Sequence, residues 1–212
     1  MEPAWVQVGA VFRWSHDDRP MRVLVHDRDV VMYDAWWPHL AAWGPADVQH
    51  IRNERIGYYV ALTATLAEHA SSVRLDPLTD DEVAIHRPDL PFAIGQCAAI
   101  SWPSQVPEAA ARFAQDWRAA GCPDGAMLQA PEVYLYPFGP DGGVWAVAGA
   151  RVQAANGTAF TAEELLFKAA VIQAPFIGDA APTQGSGTYR DGLYRGIPAY
   201  YLGGFKSRLH AA

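Results

Sequence analysis

Apolar and polar positions alternate over the first part of the chain. Ala10-Val11-Phe12-Arg13-Trp14 and Met21-Arg22-Val23-Leu24-Val25 each read as a half-buried strand, separated by the polar loop Ser15 to Pro20. His26-Asp27-Arg28-Asp29 reads as a tight turn into a third strand, Val30-Val31-Met32-Tyr33-Asp34, so these segments predict a meander. After Gly44-Pro45 the period lengthens. Tyr59, Leu62, Leu66 and Val73 fall on or near one helical face, which predicts a helix from about Ile56 to Ala70. Thr79-Asp80-Asp81-Glu82 has the capping-box pattern and opens a second helix, which must stop before Pro88.

Phe92 to Trp102 is apolar enough for a buried strand, although Gly95 and Gln96 interrupt it. Pro107 suits the first turn of a helix running to Ala120, with Gly121 as its stop. Glu132 to Tyr136 and Val144 to Val152 flank Gly139-Pro140-Asp141-Gly142-Gly143, a hairpin signature, and Asn156-Gly157 turns the chain again. Thr161-Ala162-Glu163-Glu164 is a second capping box, opening a helix to about Gln173 with Leu165, Leu166, Ala169 and Ile172 on its inner face. From 174 onward, Gly and Pro punctuate the chain densely. Phe176, Tyr189, Tyr194, Tyr200, Tyr201 and Phe205 are interleaved with them, which predicts an ordered, irregular wrap rather than a disordered tail.

The order Gly9-x-x-Phe12-Arg13-Trp14, then Arg22-Val23-Leu24, then Val31-Met32-Tyr33-Asp34 resembles a small SH3-like barrel. The expected fold is therefore α+β. Residues 1–45 form a small N-terminal SH3-like antiparallel β module, 46–173 a mixed α+β body with antiparallel hairpins, and 174–212 an irregular aromatic- and Gly-rich C-terminal wrap. Phe12, Leu24, Val31, Leu62, Leu66, Phe113, Val133, Leu135, Leu166 and Ile172 are expected to be buried.

Composition supports a packed core, because 50% of the 212 residues are hydrophobic and only 18% charged. The net charge of -7, from 16 Lys and Arg against 23 Asp and Glu, argues against a nucleic-acid partner, whose phosphates need clustered cations. No stretch approaches the roughly 20 apolar residues of a spanning helix, and Met1-Glu2-Pro3-Ala4-Trp5 lacks the basic start of a signal peptide. The expectation is a cytoplasmic protein with no membrane partner, and its Ala- and Trp-rich usage reads as bacterial. Cys97 and Cys122 have no partner Cys or His at a metal-finger spacing and read as buried, reduced thiols.

The densest chemistry lies in Tyr33-Asp34-Ala35-Trp36-Trp37-Pro38-His39-Leu40-Ala41-Ala42-Trp43. Trp combines a large apolar area with a donor that needs a partner, so Tyr33, Asp34, Trp36, Trp37, His39 and Trp43 are the candidate binding residues. The competing role is a seal between the β module and the helices. Adjacent Trp36 and Trp37 cannot point the same way on a strand. Tyr189 and Arg190 are added as a secondary site, since Gln184-Gly185-Ser186-Gly187-Thr188-Tyr189-Arg190 could cradle an anion, although it reads as a flexible loop without a strand or helix to support it. His16-Asp17-Asp18 and His26-Asp27 could serve as metal ligands or acid/base groups, but turns favour Asp for local reasons, and the seven His residues show no ligand spacing. Neither cysteine nor any serine sits in a nucleophile motif. No cofactor or metal is expected, and the enzyme question leans to no. The first expectation is a non-catalytic binding protein, for a protein or small ligand at the aromatic cluster, with an immunity- or antitoxin-type inhibitor of a basic partner as one version. Alternatives are a hydrolase of a phosphate or sugar compound using His16, Asp17, His26 and Asp34, and a structural subunit of a phage or secretion assembly.

Overall fold

The computed structural model describes residues 3–44, 55–97, 110–122, 127–137, 149–176 and 186–203. The chain divides into two compact units. The first comprises Met1–Asp89 with Gly192–Gly196, the second Leu90–Asp191 with Ile197–Ala212. Strands predominate, most of their pairings are antiparallel, and helices are interspersed, which is an α+β composition.

The first unit is built on the expected meander. Strands β1 (Ala10–Trp14), β2 (Asp17–Asp27) and β3 (Val30–Trp37) pair in sequence, each antiparallel to the next. Two-residue turns make this possible: Trp14 faces Asp17 across Ser15-His16, and Asp27 faces Val30 across Arg28-Asp29, with Arg28 at φ 55. The expected loop from Ser15 to Pro20 is therefore mostly strand. β4 (Ala42–Gly44) returns along β3.

Strands lie over much of the segment where a helix was expected. Within Ile56 to Ala70, β5 (Arg55–Gly57) and β6 (Tyr59–Leu62) precede a helix α1 of only Thr63–His69, and β7 (Ala70–Leu75) follows it. The 3.6-residue spacing of Tyr59, Leu62 and Leu66 is coincidental. Tyr58, Tyr59 and Val60 have side chains that favour pleated backbone, and Tyr59 to Leu62 pair with Tyr33 to Val30. β7 pairs with β1 at the far edge. The helix α2 (Asp80–Ile85) forms as expected, with the complete capping box: Thr79 Oγ1 accepts from the Glu82 amide, and the Glu82 carboxylate accepts from the Thr79 amide. The core holds Phe12, Met21, Val23, Val31, Tyr33, Ala35 and Leu66, with Trp5, Trp14, Trp37 and Tyr59 packed partly buried against it.

In the second unit, β8 (Ala93–Cys97), α3 (Ala110–Ala119), β9 (Met127–Leu128), β10 (Glu132–Tyr136), β11 (Ala150–Gln153), β12 (Phe160–Thr161), α4 (Ala162–Gln173), β13 (Ser186–Tyr194) and β14 (Ile197–Gly203) follow in order. The expected hairpin pairing of β10 with β11 is present, register Val133 to Val152; its Gly-rich loop lies outside the described residues, as do Pro107 and residues 98–109. β10 also pairs in parallel with β14, and β8 pairs antiparallel with β13. Trp117 from α3 and Leu165, Leu166 and Ala169 from α4 bury against Val133, Leu135, Tyr200 and Leu202. Thr161 caps α4 by accepting from the Glu164 amide, but the Glu164 carboxylate goes to the Ala155 amide and to Lys168, so the box is half formed.

Of the irregular wrap expected over 174–212, residues 186–203 form a β-hairpin inside the sheet; residues 177–185 and 204–212 lie outside the described residues. Arg195 and Gly196 both have positive φ, 50 and 77, the conformation of a tight primed turn, although Arg-Gly is not among its usual dipeptides. The tip Gly192–Tyr194 belongs to the first unit, where it pairs with β5; a Cβ on Gly192 would stand 1.7 Å from the Ile56 carbonyl oxygen, so only glycine fits. Seven of the ten expected core residues are buried, and Leu62, Phe113 and Ile172 are partly so. Cys122 is buried as expected but is disulfide-bonded, not a reduced thiol; such pairings leave no local spacing signal in a sequence.

Candidate functional site

Successive residues of a strand face opposite ways, and β3 sorts the expected aromatic cluster accordingly. Tyr33 and Trp37 lie on the face that carries the first unit's core, while Asp34 and Trp36 lie on the other. Trp36 and Trp37 are each half-buried.

On the core face, the interior rings continue outward into a rim. Phe12, fully buried, sits 5.8 Å from Trp5, 5.7 Å from Trp14 and 5.2 Å from Tyr33. Tyr33 stacks on Tyr59 at 5.3 Å and receives a hydrogen bond from the Trp14 indole; burial nevertheless pushes its hydroxyl up to about 12. Trp14 stacks on His16 at the tip of the β1–β2 turn. Trp37 meets His39 edge to face, and the Arg19 guanidinium lies 5.4 Å above its ring. Arg19 is held there by Asp17: Nη2 donates to Oδ2 at 2.7 Å, Nε to Oδ1 and Oδ2, and the Arg19 amide to Oδ1. These bonds lower the Asp17 pKa and raise that of Arg19, which also donates to the Tyr59 hydroxyl.

The opposite face of β3 carries a tighter group. The Asp34 carboxylate accepts from Arg22 Nη2 at 2.8 Å and from Nε at 3.3 Å. Arg22 also lies 4.7 Å from the Trp43 ring, which meets Trp36 edge to face across the β3–β4 pair. Burial raises the Asp34 carboxyl to about 6, and Arg22 works against that shift without cancelling it. Elsewhere in this unit Tyr58 Oη is 2.9 Å from His86 Nδ1.

Tyr189 and Arg190 are in the second unit and are interior, not a loop. Arg190 is fully buried; its amide donates to Phe92 O and its Nη1 to Leu90 O, while Tyr200 Oη donates to Pro91 O. Three consecutive carbonyls are thus fixed at the start of the second unit, one of them, Leu90 O, by the guanidinium. Tyr189 accepts from Gln96 and packs on Phe92 and Tyr201. No family model, curated protein or solved structure matches this chain.

The sequence reading missed Trp5, Trp14, Arg19 and Tyr59. Phe12 and Trp14 alternate toward one face, but Tyr59 falls on a helical spacing and Arg19 in a polar run, so their convergence has no linear signal. The acid/base set of the hydrolase alternative is spread out. Asp17 and His26 are nine residues apart on β2, about 30 Å for extended chain; His26 Nε2 faces the Thr63 hydroxyl instead. Among the described residues, no three His, Cys, Asp or Glu side chains are grouped to hold a metal ion. In the second unit, a groove of about 390 Å³ lies between α4 and β11, lined by Val152, Phe167, Val171 and Ile172. Its one cationic lining residue, Lys168, is tied to Glu164 and to Gln153 O.

Proposed function

We propose that this chain is a non-catalytic recognition protein whose first unit, acting as an SH3-like module, binds its partner through the aromatic rim of Trp14, Trp37, Tyr59 and His39. One observation supports the reading: the large rings beneath the rim, Phe12 and Tyr33, are buried, whereas Trp14 and Tyr59 against them, and Trp37 on the same core, are only partly buried. A held but accessible indole is what binding surfaces use as an anchor. Asp34, Trp36 and Trp43 form a second, internally paired face, and Tyr189 and Arg190 serve the fold. The version in which a basic enzyme is captured rests only on the net charge of -7.

Indole N–H signals in the NMR spectrum of the full chain test the reading. Any ligand is expected to move the Trp14 and Trp37 signals while the buried Trp117 stays in place, and the Trp37→Ala variant should lose at least tenfold in affinity. A ligand that binds this variant as tightly as the parent removes the rim from consideration. Among the described residues no helix is long and apolar enough to cross a membrane. The cytoplasmic placement and the disulfide at Cys122 pull in opposite directions, because such bonds persist mainly in oxidising compartments. Alkylation of thiols during denaturing lysis of cells decides between them: labelled Cys122 supports the cytoplasm, and Cys122 labelled only after reduction an oxidising compartment.

A further inference from the structure

We propose that Asn156-Gly157 is a latched deamidation site: the native turn keeps Asn156 as the amide, and opening of that turn commits it to isoaspartate and aspartate. The chemistry belongs to the dipeptide, because asparagine is a labile residue and the glycine after it has no side chain to shield its nitrogen. The Gly157 nitrogen attacks Asn156 Cγ. A new N–C bond forms as the Cγ–Nδ2 bond breaks, and Nδ2 leaves as ammonia, taking up the proton that the Gly157 nitrogen gives up. Water then opens the five-membered imide at one carbonyl or the other, which yields aspartate or isoaspartate.

Asn156 is exposed, yet its turn is set against this reaction. The Gly157 amide donates to Ala154 O at 2.9 Å, closing a β-turn. Neither Ala155 nor Asn156 has positive φ, so the turn is type I with Asn156 at its third position. Ring closure requires the Gly157 nitrogen to lose its proton and to swing toward Cγ by rotation about the Asn156 Cα–C bond, and both break the bond to Ala154 O. The carboxamide is held from its own side as well. Asn156 Oδ1 accepts from the Thr158 amide at 2.8 Å, from the Ala159 amide at 2.9 Å and from Thr158 Oγ1 at 3.1 Å. These donors polarise the carboxamide and would speed an attack within reach, but here they fix Cγ while the nitrogen is tied elsewhere. Gly157 serves its φ of 74, since a Cβ there would meet nothing within 4 Å.

The turn is also anchored from outside. The Ala154 amide donates to Pro131 O at 2.9 Å, and the Ala155 amide donates at 2.8 Å to Glu164 Oε1 of α4, which Lys168 also holds at 2.6 Å. Docking of the turn on α4 therefore governs how often it opens. Isoaspartate adds a methylene to the main chain, so the bonds of the native turn cannot all re-form around it.

The test incubates the full chain, folded and in denaturing guanidinium chloride, in the same mildly alkaline buffer, and follows amide-to-acid conversion of the Asn156 peptide by mass spectrometry. Asn53, the other asparagine of the chain, precedes Glu54 and is the control in the same digest. Conversion at Asn156 is expected to be at least about tenfold slower in the folded chain than in denaturant, because the amide reacts only through the open fraction. In denaturant Asn53 should lag behind Asn156. Glu164→Ala should raise the folded rate at Asn156 severalfold and leave the denatured rate unchanged. Thr158→Ala, a change at an exposed side chain, should raise it less, and it stands in for Glu164→Ala if that variant does not fold. Equal rates in the folded and denatured parent, no conversion at Asn156 in denaturant, or a folded rate that neither folded variant raises overturns the inference.

Discussion

Each unit gathers aromatic side chains, and the two gatherings differ in burial. In the second unit Tyr136, Tyr189 and Tyr201 are 2%, 4% and 2% exposed; Tyr201 packs on Tyr136 and Tyr189, and Tyr189 on Phe92. In the first unit Trp14, Trp37 and Tyr59 are of the same chemical kind but lie where the core meets the surface, with a charged pair beside them. Aromatic content therefore does not mark a binding site. On the proposed reading, the first unit differs by partial burial on a buried base and by a charged pair at the edge of the rings. Strand ends and turns supply both here, because alternation carries a core face outward until the sheet stops covering it.

The contrast can be broken by substitution. The largest effect is expected in the second unit: Tyr201→Ala removes a buried ring and should cost about 3–5 kcal/mol in chemical denaturation, with no effect on rim ligands. Next is pH. Asp34 titrates near 6 in the folded chain against a reference value of 3.8, so the folded state binds the extra proton between these values. Its contribution is complete below about 3.8 and is lost as pH rises through about 6, on the order of 2–3 kcal/mol. Melts of the parent should thus decline relative to Asp34→Asn across pH 4 to 6; parallel curves would show that the carboxyl is not shifted. Smaller still, Trp36→Ala should cost about 1–2 kcal/mol, since it loses one edge-to-face partner and part of its burial. Thr79→Ala should cost about 1 kcal/mol through the lost cap of α2, seen as faster amide exchange at Glu82 with the aromatic rim unchanged.

What was legible in the sequence follows from where the determining contacts are. β1 to β3 are readable because alternation and the tight turn before Val30 are local properties, and the opposite orientations of Trp36 and Trp37 follow from them; the earlier turn at Ser15-His16 is hidden because polar Asp17 to Arg19 read as loop although they are strand. The Thr79 box was readable for the same reason. The Thr161 box was only half so, since Glu164 is claimed by Ala155 and Lys168 from outside its own turn. Ile56 to Leu62 was misread because its partner strand, β3, is what decides its conformation. The site shows the same limit. Trp14, Arg19, Tyr33, Trp37 and Tyr59 come from four strands and form one surface only after β6 has paired with β3, while Tyr189 and Arg190 looked exposed only because their glycine neighbours concealed a strand.

The return of Gly192–Gly196 to the first unit has a consequence for synthesis. Between Asp89 and Gly192 the ribosome must add about 100 residues, which at roughly 5–20 residues per second takes on the order of 5–20 s. Throughout that interval β5 has emerged without the hairpin tip that pairs with it, and its hydrogen-bonding edge is open to any other nascent strand. The N-terminal unit is thus translated early and completed late, and a chain stalled before residue 192 would display an unprotected edge to the chaperones that survey incomplete proteins.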